Sequence, residues 1–108
     1  MNDEDRKILT EYLGECWDAT HTNTPKDCNR TFLTGDDMLA LMVKVSQTHY
    51  VEINLWPDEN VISIVPLKDA GYIDEGLKSS RNILAKTVKE VPLRFAELVA
   101  RAIREKIL

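Results

Sequence analysis

At 108 residues, 44% hydrophobic and 30% charged, the chain fits one globular domain, residues 1–108, with a single core. Four Gly and four Pro argue against a disordered or fibrous chain. The net charge of −4 disfavours nucleic acid as a partner, and no apolar run approaches the roughly 20 residues that span a bilayer.

The start, Met1-Asn2-Asp3-Glu4-Asp5, is acidic and has no apolar run, so it does not read as a signal peptide and the expected address is the cytoplasm. In that reducing compartment Cys16 and Cys28 read as thiols rather than a disulfide. Charge is uneven: residues 78–108 carry eight Lys or Arg against three Glu, whereas residues 1–77 carry six against fifteen acidic residues. A basic helical end packed beside an acidic remainder accounts for this.

Residues 4–19 read as a first helix, with Leu9, Leu13, Cys16 and Trp17 in a stripe widened by Ile8 and Tyr12. Asp3, Glu4 and Asp5 sit where the helix dipole favours negative charge. The polar run 20–27, broken by Pro25, reads as a loop, and Phe32 as the residue pinning it to the core. Leu33-Thr34-Gly35-Asp36-Asp37-Met38 is a helix start: Thr34 as N-cap, Asp37 three residues on, Leu33 and Met38 at the positions of a hydrophobic staple. The helix runs to about Ser46, with Met38, Leu41, Met42 and Val45 on one face, broadened by Leu39 and Val43.

From His49 the period becomes two: Val51, Ile53 and Leu55 on one face, Tyr50, Glu52, Asn54 and Trp56 on the other. A turn at 57–60 and a second extended run, Val61–Val65, complete an antiparallel hairpin over 49–56 and 61–65. A turn is expected at 68–71. Residues 78–90 are open between a helix and a third strand. Ile83, Leu84 and Val88 fit a helical period that Ser79 or Ser80 could cap, and the local pattern leans that way. A third strand would instead serve a sheet that two strands leave marginal. The last helix is marked by Pro92 in its first turn and the stripe Phe95, Leu98, Val99, Ala102, Ile103, with Arg101, Arg104 and Lys106 at its end.

Cys16, His21, Cys28 and His49 are zinc-capable residue types, but their spacing lacks the paired Cys-x-x-Cys knuckles of a zinc site. Cys28 with His21 has no orienting group or oxyanion motif, and first-turn capping explains Asp36 and Asp37. No phosphate loop, nucleophile elbow or His-Glu-x-x-His occurs, so no catalytic residue and no cofactor are assigned. Trp56, on the strand face with Tyr50, Glu52 and Asn54, is the preferred interface residue.

Three segments resemble one family. Ile8-Leu9-Thr10-Glu11-Tyr12-Leu13-Gly14-Glu15-Cys16-Trp17 is similar to the opening helix of small phage and prophage proteins with an "ABA sandwich" domain. Asn29-Arg30-Thr31-Phe32-Leu33-Thr34, followed by Asp37-Met38, resembles their Phe-plus-capped-helix stretch. Thr87 to Val99, with Val91-Pro92-Leu93 ahead of an Ala-rich helix, is similar to their closing helix. The resemblance implies a layered helix–sheet–helix sandwich encoded in phage or prophage genomes, with no established activity. The chain departs from the family pattern at Asp18, where relatives commonly carry His, which weakens a shared metal or catalytic role for Cys16. Its stretch from Lys68 to Lys86 is also longer.

The expectation is thus an α+β fold, a small antiparallel sheet packed between helices as a layered α-β-α sandwich. Its expected role is that of a non-enzymatic phage-derived accessory or interaction protein, self-associating or binding a protein partner. The alternative is a small metal-binding protein or metal-dependent enzyme using Cys16, His21, Cys28 and His49. A third option is anion or nucleic-acid binding through Arg94, Arg101 and Arg104.

Overall fold

Asn2 opens the first helix, α1 (Asp3–Tyr12), by accepting the Asp5 N–H on its Oδ1 at 2.8 Å. The helix stops well short of residue 19, although the apolar stripe continues through Cys16 and Trp17. Gly14 is the reason. It adopts a left-handed backbone (φ +77°), donating its N–H to Glu11 O at 2.9 Å while Glu15 donates to Thr10 O at 3.0 Å. These two bonds form a Schellman motif, which satisfies the last carbonyls and turns the chain away. The computed structural model describes residues 1–17, 30–66 and 81–108. The expected loop at 20–27 with His21, the thiol Cys28, the turn at 68–71 and the capping Ser79 or Ser80 lie outside the described residues.

Helix α2 (Gly35–Val45) starts where its cap predicts: Thr34 Oγ1 accepts the Asp37 N–H at 3.1 Å. Leu33 faces solvent rather than the core, and the buried Phe32 anchors the helix entrance instead. Ser46 closes the helix three residues before the first strand.

Strands β1 (His49–Leu55), β2 (Asn60–Pro66) and β3 (Arg81–Ala85) form an antiparallel sheet in the order β1-β2-β3. The register sets Val51 opposite Ile64, and Ile53 opposite Ile62, which in turn faces Ile83. The lean towards a helix at 82–88 is therefore corrected: residues 81–85 are a strand. A helix would need Ile83 and Leu84 on one apolar face. In the sheet they alternate, Ile83 packing on the core and Leu84 pointing out, 55% exposed. Ile62 and Ile64 are fully buried on a central strand, and β3 supplies its second hydrogen-bonded neighbour. Buried Asn60 adds a bond from Nδ2 to Ala85 O at 3.1 Å. Among the described residues of 78–90, Val88–Glu90 alone turns helically, as a short 3-10 segment leading into the last helix.

That helix, α3 (Val91–Arg104), carries Pro92 in its first turn and is the hub of the core. It touches α1, α2, β2 and β3. Contact on several sides explains why Ala96 and Ala100 are fully buried beside the expected Phe95, Leu98, Val99 and Ala102. Its end repeats the α1 device without glycine: Lys106 sits at φ +60°, with Lys106 N–H on Ile103 O at 3.0 Å and Ile107 N–H on Ala102 O at 2.9 Å.

The fold is α+β, with the antiparallel sheet packed against helices. One core cluster joins α1, α2 and α3 to the face of the sheet bearing Val51, Ile53, Ile62, Ile64, Ile83 and Ala85. No described residue of the opposite face belongs to it.

Candidate functional site

Two constellations stand out, one polar and internal, the other apolar and exposed. The polar one centres on Arg30. Its guanidinium grips Glu15 with two parallel bonds, Nε to Oε1 at 2.7 Å and Nη2 to Oε2 at 2.8 Å, and reaches Asp37 Oδ1 through Nη1 at 3.0 Å. Asp37 Oδ2 accepts the Phe32 N–H at 2.9 Å. The carboxylate thus reaches back past the Thr34 cap to Phe32, two residues further than a capping box does. Hydrogen bonding to Glu15, ahead of that to Asp37, raises the Arg30 pKa above its ordinary value despite partial burial. Arg6 donates from Nε to Arg30 O at 3.0 Å, and its guanidinium lies 5.3 Å from the centre of the Trp17 ring.

This network holds Phe32 in a left-handed conformation, φ +60°, which is strained for a bulky residue. The bond to Asp37 and complete burial of the ring compensate. Because its charges are spent on one another, the network braces the α1 exit against the α2 start rather than awaiting a ligand.

The apolar constellation lies on the sheet. On the face away from the core, pairing brings Tyr50 beside Val65, and sets Ser63 between Glu52 and Asn82 and Val61 between Asn54 and Leu84. Trp56 follows at the hairpin end, 63% exposed, and Tyr50 is 47% exposed. A groove of about 430 Å³ opens beside Tyr50, between Leu39, Met42 and Val43 of α2 and His49 and Val51 of β1. Leu39 and Val43 are themselves exposed. Isolated exposed apolar residues are ordinary, but aromatic and aliphatic side chains bordering one groove mark a contact surface.

β1 is an edge of this sheet, and among the described residues only β2 pairs with it. Trp56 donates its N–H to Glu59 O at 2.9 Å, so the backbone of Trp56 faces β2. By strand alternation the backbones of Asn54, Glu52 and Tyr50 face β2 as well, and those of Leu55, Ile53 and Val51 face outward.

The remaining expected residues are dispersed. Cys16 is exposed just past the end of α1. His49 is buried at the start of β1, its Nδ1 2.7 Å from Thr48 Oγ1, with a further bond to the Ile107 backbone. Burial lowers its pKa below the ordinary 6.5, only partly offset by the Ile107 bond. Among the described residues no group of three or more His, Cys, Asp or Glu is placed to hold a metal. Arg94 pairs with Glu97 at 2.8 Å, Arg101 donates to Asn82 O at 2.8 Å, and Arg104 pairs with Asp5. The three cations thus engage different partners. Among the described residues no helix is long and apolar enough to cross a membrane.

Alternation of apolar and polar residues sufficed to expose Tyr50 and Trp56. It missed Leu39 and Val43, whose type spoke for burial. It also missed Arg30, because a lone Arg in a loop carries no periodic signal; its signal is the carboxylate at the third helical position, Asp37. No protein-family model matches the chain, and neither a curated protein nor a solved structure matches it.

Proposed function

We propose that this chain is a non-enzymatic interaction protein of phage or prophage origin, acting in the cytoplasm through its sheet, with Trp56 and Tyr50 as anchors. The observation that carries the reading is the exposure of both aromatics on one sheet face along the edge strand, with an apolar groove beside Tyr50. Aromatic anchors among polar neighbours such as Glu52, Asn54 and Ser63 are the usual make-up of a contact surface. The last helix offers little by comparison, because its apolar stripe is consumed in the core and its arginines are engaged. The phage origin rests on the resemblance of the Ile8–Trp17, Asn29–Met38 and Thr87–Val99 segments to the ABA sandwich family.

The test is Trp56→Ala, followed by light scattering and far-ultraviolet circular dichroism. The reading expects weakened assembly with an unchanged spectrum. Assembly identical to wild type would reject it.

A further inference from the structure

Resting on the sheet-contact reading, we infer that the partner of β1 is a second copy of this chain, paired antiparallel along β1 about a two-fold axis through Ile53. The edge supplies the backbone: Val51, Ile53 and Leu55 direct their N–H and C=O groups outward, away from β2. The side chains select the register. A two-fold perpendicular to the sheet keeps faces together, so only residues of equal parity can oppose each other.

An axis through any residue of the strand meets that condition, and the four through Val51 to Asn54 lie near its middle. An axis through Glu52 sets two carboxylates face to face, which is repulsive. An axis through Val51 pairs Tyr50 with Glu52 and leaves Leu55 and Trp56 uncovered. An axis through Asn54 opposes Glu52 to Trp56 and meets Pro57, which lacks an N–H, opposite Val51 after only two pairs, whereas an axis through Ile53 meets it opposite His49 after three. An axis through Ile53 pairs Val51 with Leu55, Glu52 with Asn54 and Tyr50 with Trp56.

This last register joins aromatic to aromatic and aliphatic to aliphatic, and gives each Glu52 an amide rather than a carboxylate to face. It also accounts for Leu55, which is 59% exposed although it lies on the core-facing side of the sheet. On β2 it faces only the polar Asn60; in the pair it gains the aliphatic Val51 of the second copy. Tyr50 borders the groove beside Leu39 and Val43, so the Trp56 end of the second copy arrives at that groove. Outward backbone, matched side chains and an apolar groove thus converge on one self-complementary strand.

Sedimentation and cysteine cross-linking test this together, in chains carrying Cys16→Ser and Cys28→Ser. Glu52 and Asn54 form a non-hydrogen-bonded pair in this register, with Cα atoms about 4.5 Å apart, inside the range a disulfide spans. This cysteine-free background, like the wild-type chain, should sediment at twice the 12.3 kDa chain mass. Under a mild oxidant an equimolar mixture of Glu52→Cys and Asn54→Cys chains should cross-link, whereas either variant alone should not. A monomer at every concentration would overturn self-pairing while leaving the sheet open to another protein. Cross-linking of Glu52→Cys alone, or none in the mixture, would overturn the Ile53 register. A dimer indifferent to Trp56→Ala would overturn the sheet-contact reading and this inference with it.

Discussion

Arg30 and Glu15, fifteen residues apart in sequence, are joined by two parallel hydrogen bonds at 2.7 and 2.8 Å, the fork of a guanidinium against the fork of a carboxylate. A third bond carries the same guanidinium to Asp37 in the first turn of α2. Geometry of this kind is specific to arginine. Lysine supplies a point charge and cannot hold two planar partners at once.

Arg30→Ala should therefore lower stability by roughly 3–5 kcal/mol, the penalty for stranding a buried carboxylate, reduced to the extent that water reaches Glu15. Arg30→Lys should recover only part of this. The check is the midpoint of urea unfolding for wild type and both variants. Equal midpoints for wild type and Arg30→Lys would show that charge alone, without the fork, suffices.

The two Schellman ends make a pair of predictions with opposite signs. Gly14→Ala introduces a Cβ into open space, so no clash arises, but the φ of +77° makes the left-handed backbone cost about 1–2 kcal/mol. Lys106 already bears that strain at φ +60°, and Lys106→Gly should relieve it, raising stability by up to about 1 kcal/mol. Thermal melts of both variants check this. A stabilising Gly14→Ala would place the α1 stop elsewhere.

These ends show what was legible in the sequence and what was not. The start of α2 could be read at Thr34, because capping is a local interaction among neighbours in sequence. The end of α1 was overrun because Cys16 and Trp17 continue a helical stripe, and periodicity does not register that Gly14 has left the helical backbone. For β3 the helical lean failed for a non-local reason. Ile83 and Leu84 satisfy a helical period on their own, but Ile62 on β2 needs a neighbour, and that demand lies about twenty residues upstream. The contact surface was half legible: alternation exposes Tyr50 and Trp56, whereas exposure of Leu39, Val43 and Leu55 depends on where the sheet ends.

His49 gives the fold a pH dependence of known sign. Burial favours the neutral imidazole, so the folded chain binds fewer protons than the unfolded one below pH 6.5. The stabilisation is present above pH 6.5 and is lost as the pH falls through the lowered folded value. His49→Gln, which cannot titrate, should flatten that part of the profile. Urea unfolding of both proteins between pH 7.5 and about 5 checks this. Parallel profiles would locate the acid sensitivity in other groups.

The most direct test of contact through the sheet is amide hydrogen exchange at low and high protein concentration. The expected result is concentration-dependent slowing at Val51, Ile53 and Leu55, whose N–H groups point outward from the edge, with the amides of α3 unchanged. Slowing centred on residues 91–104, or no concentration dependence in β1 where the protein is associated, would contradict it.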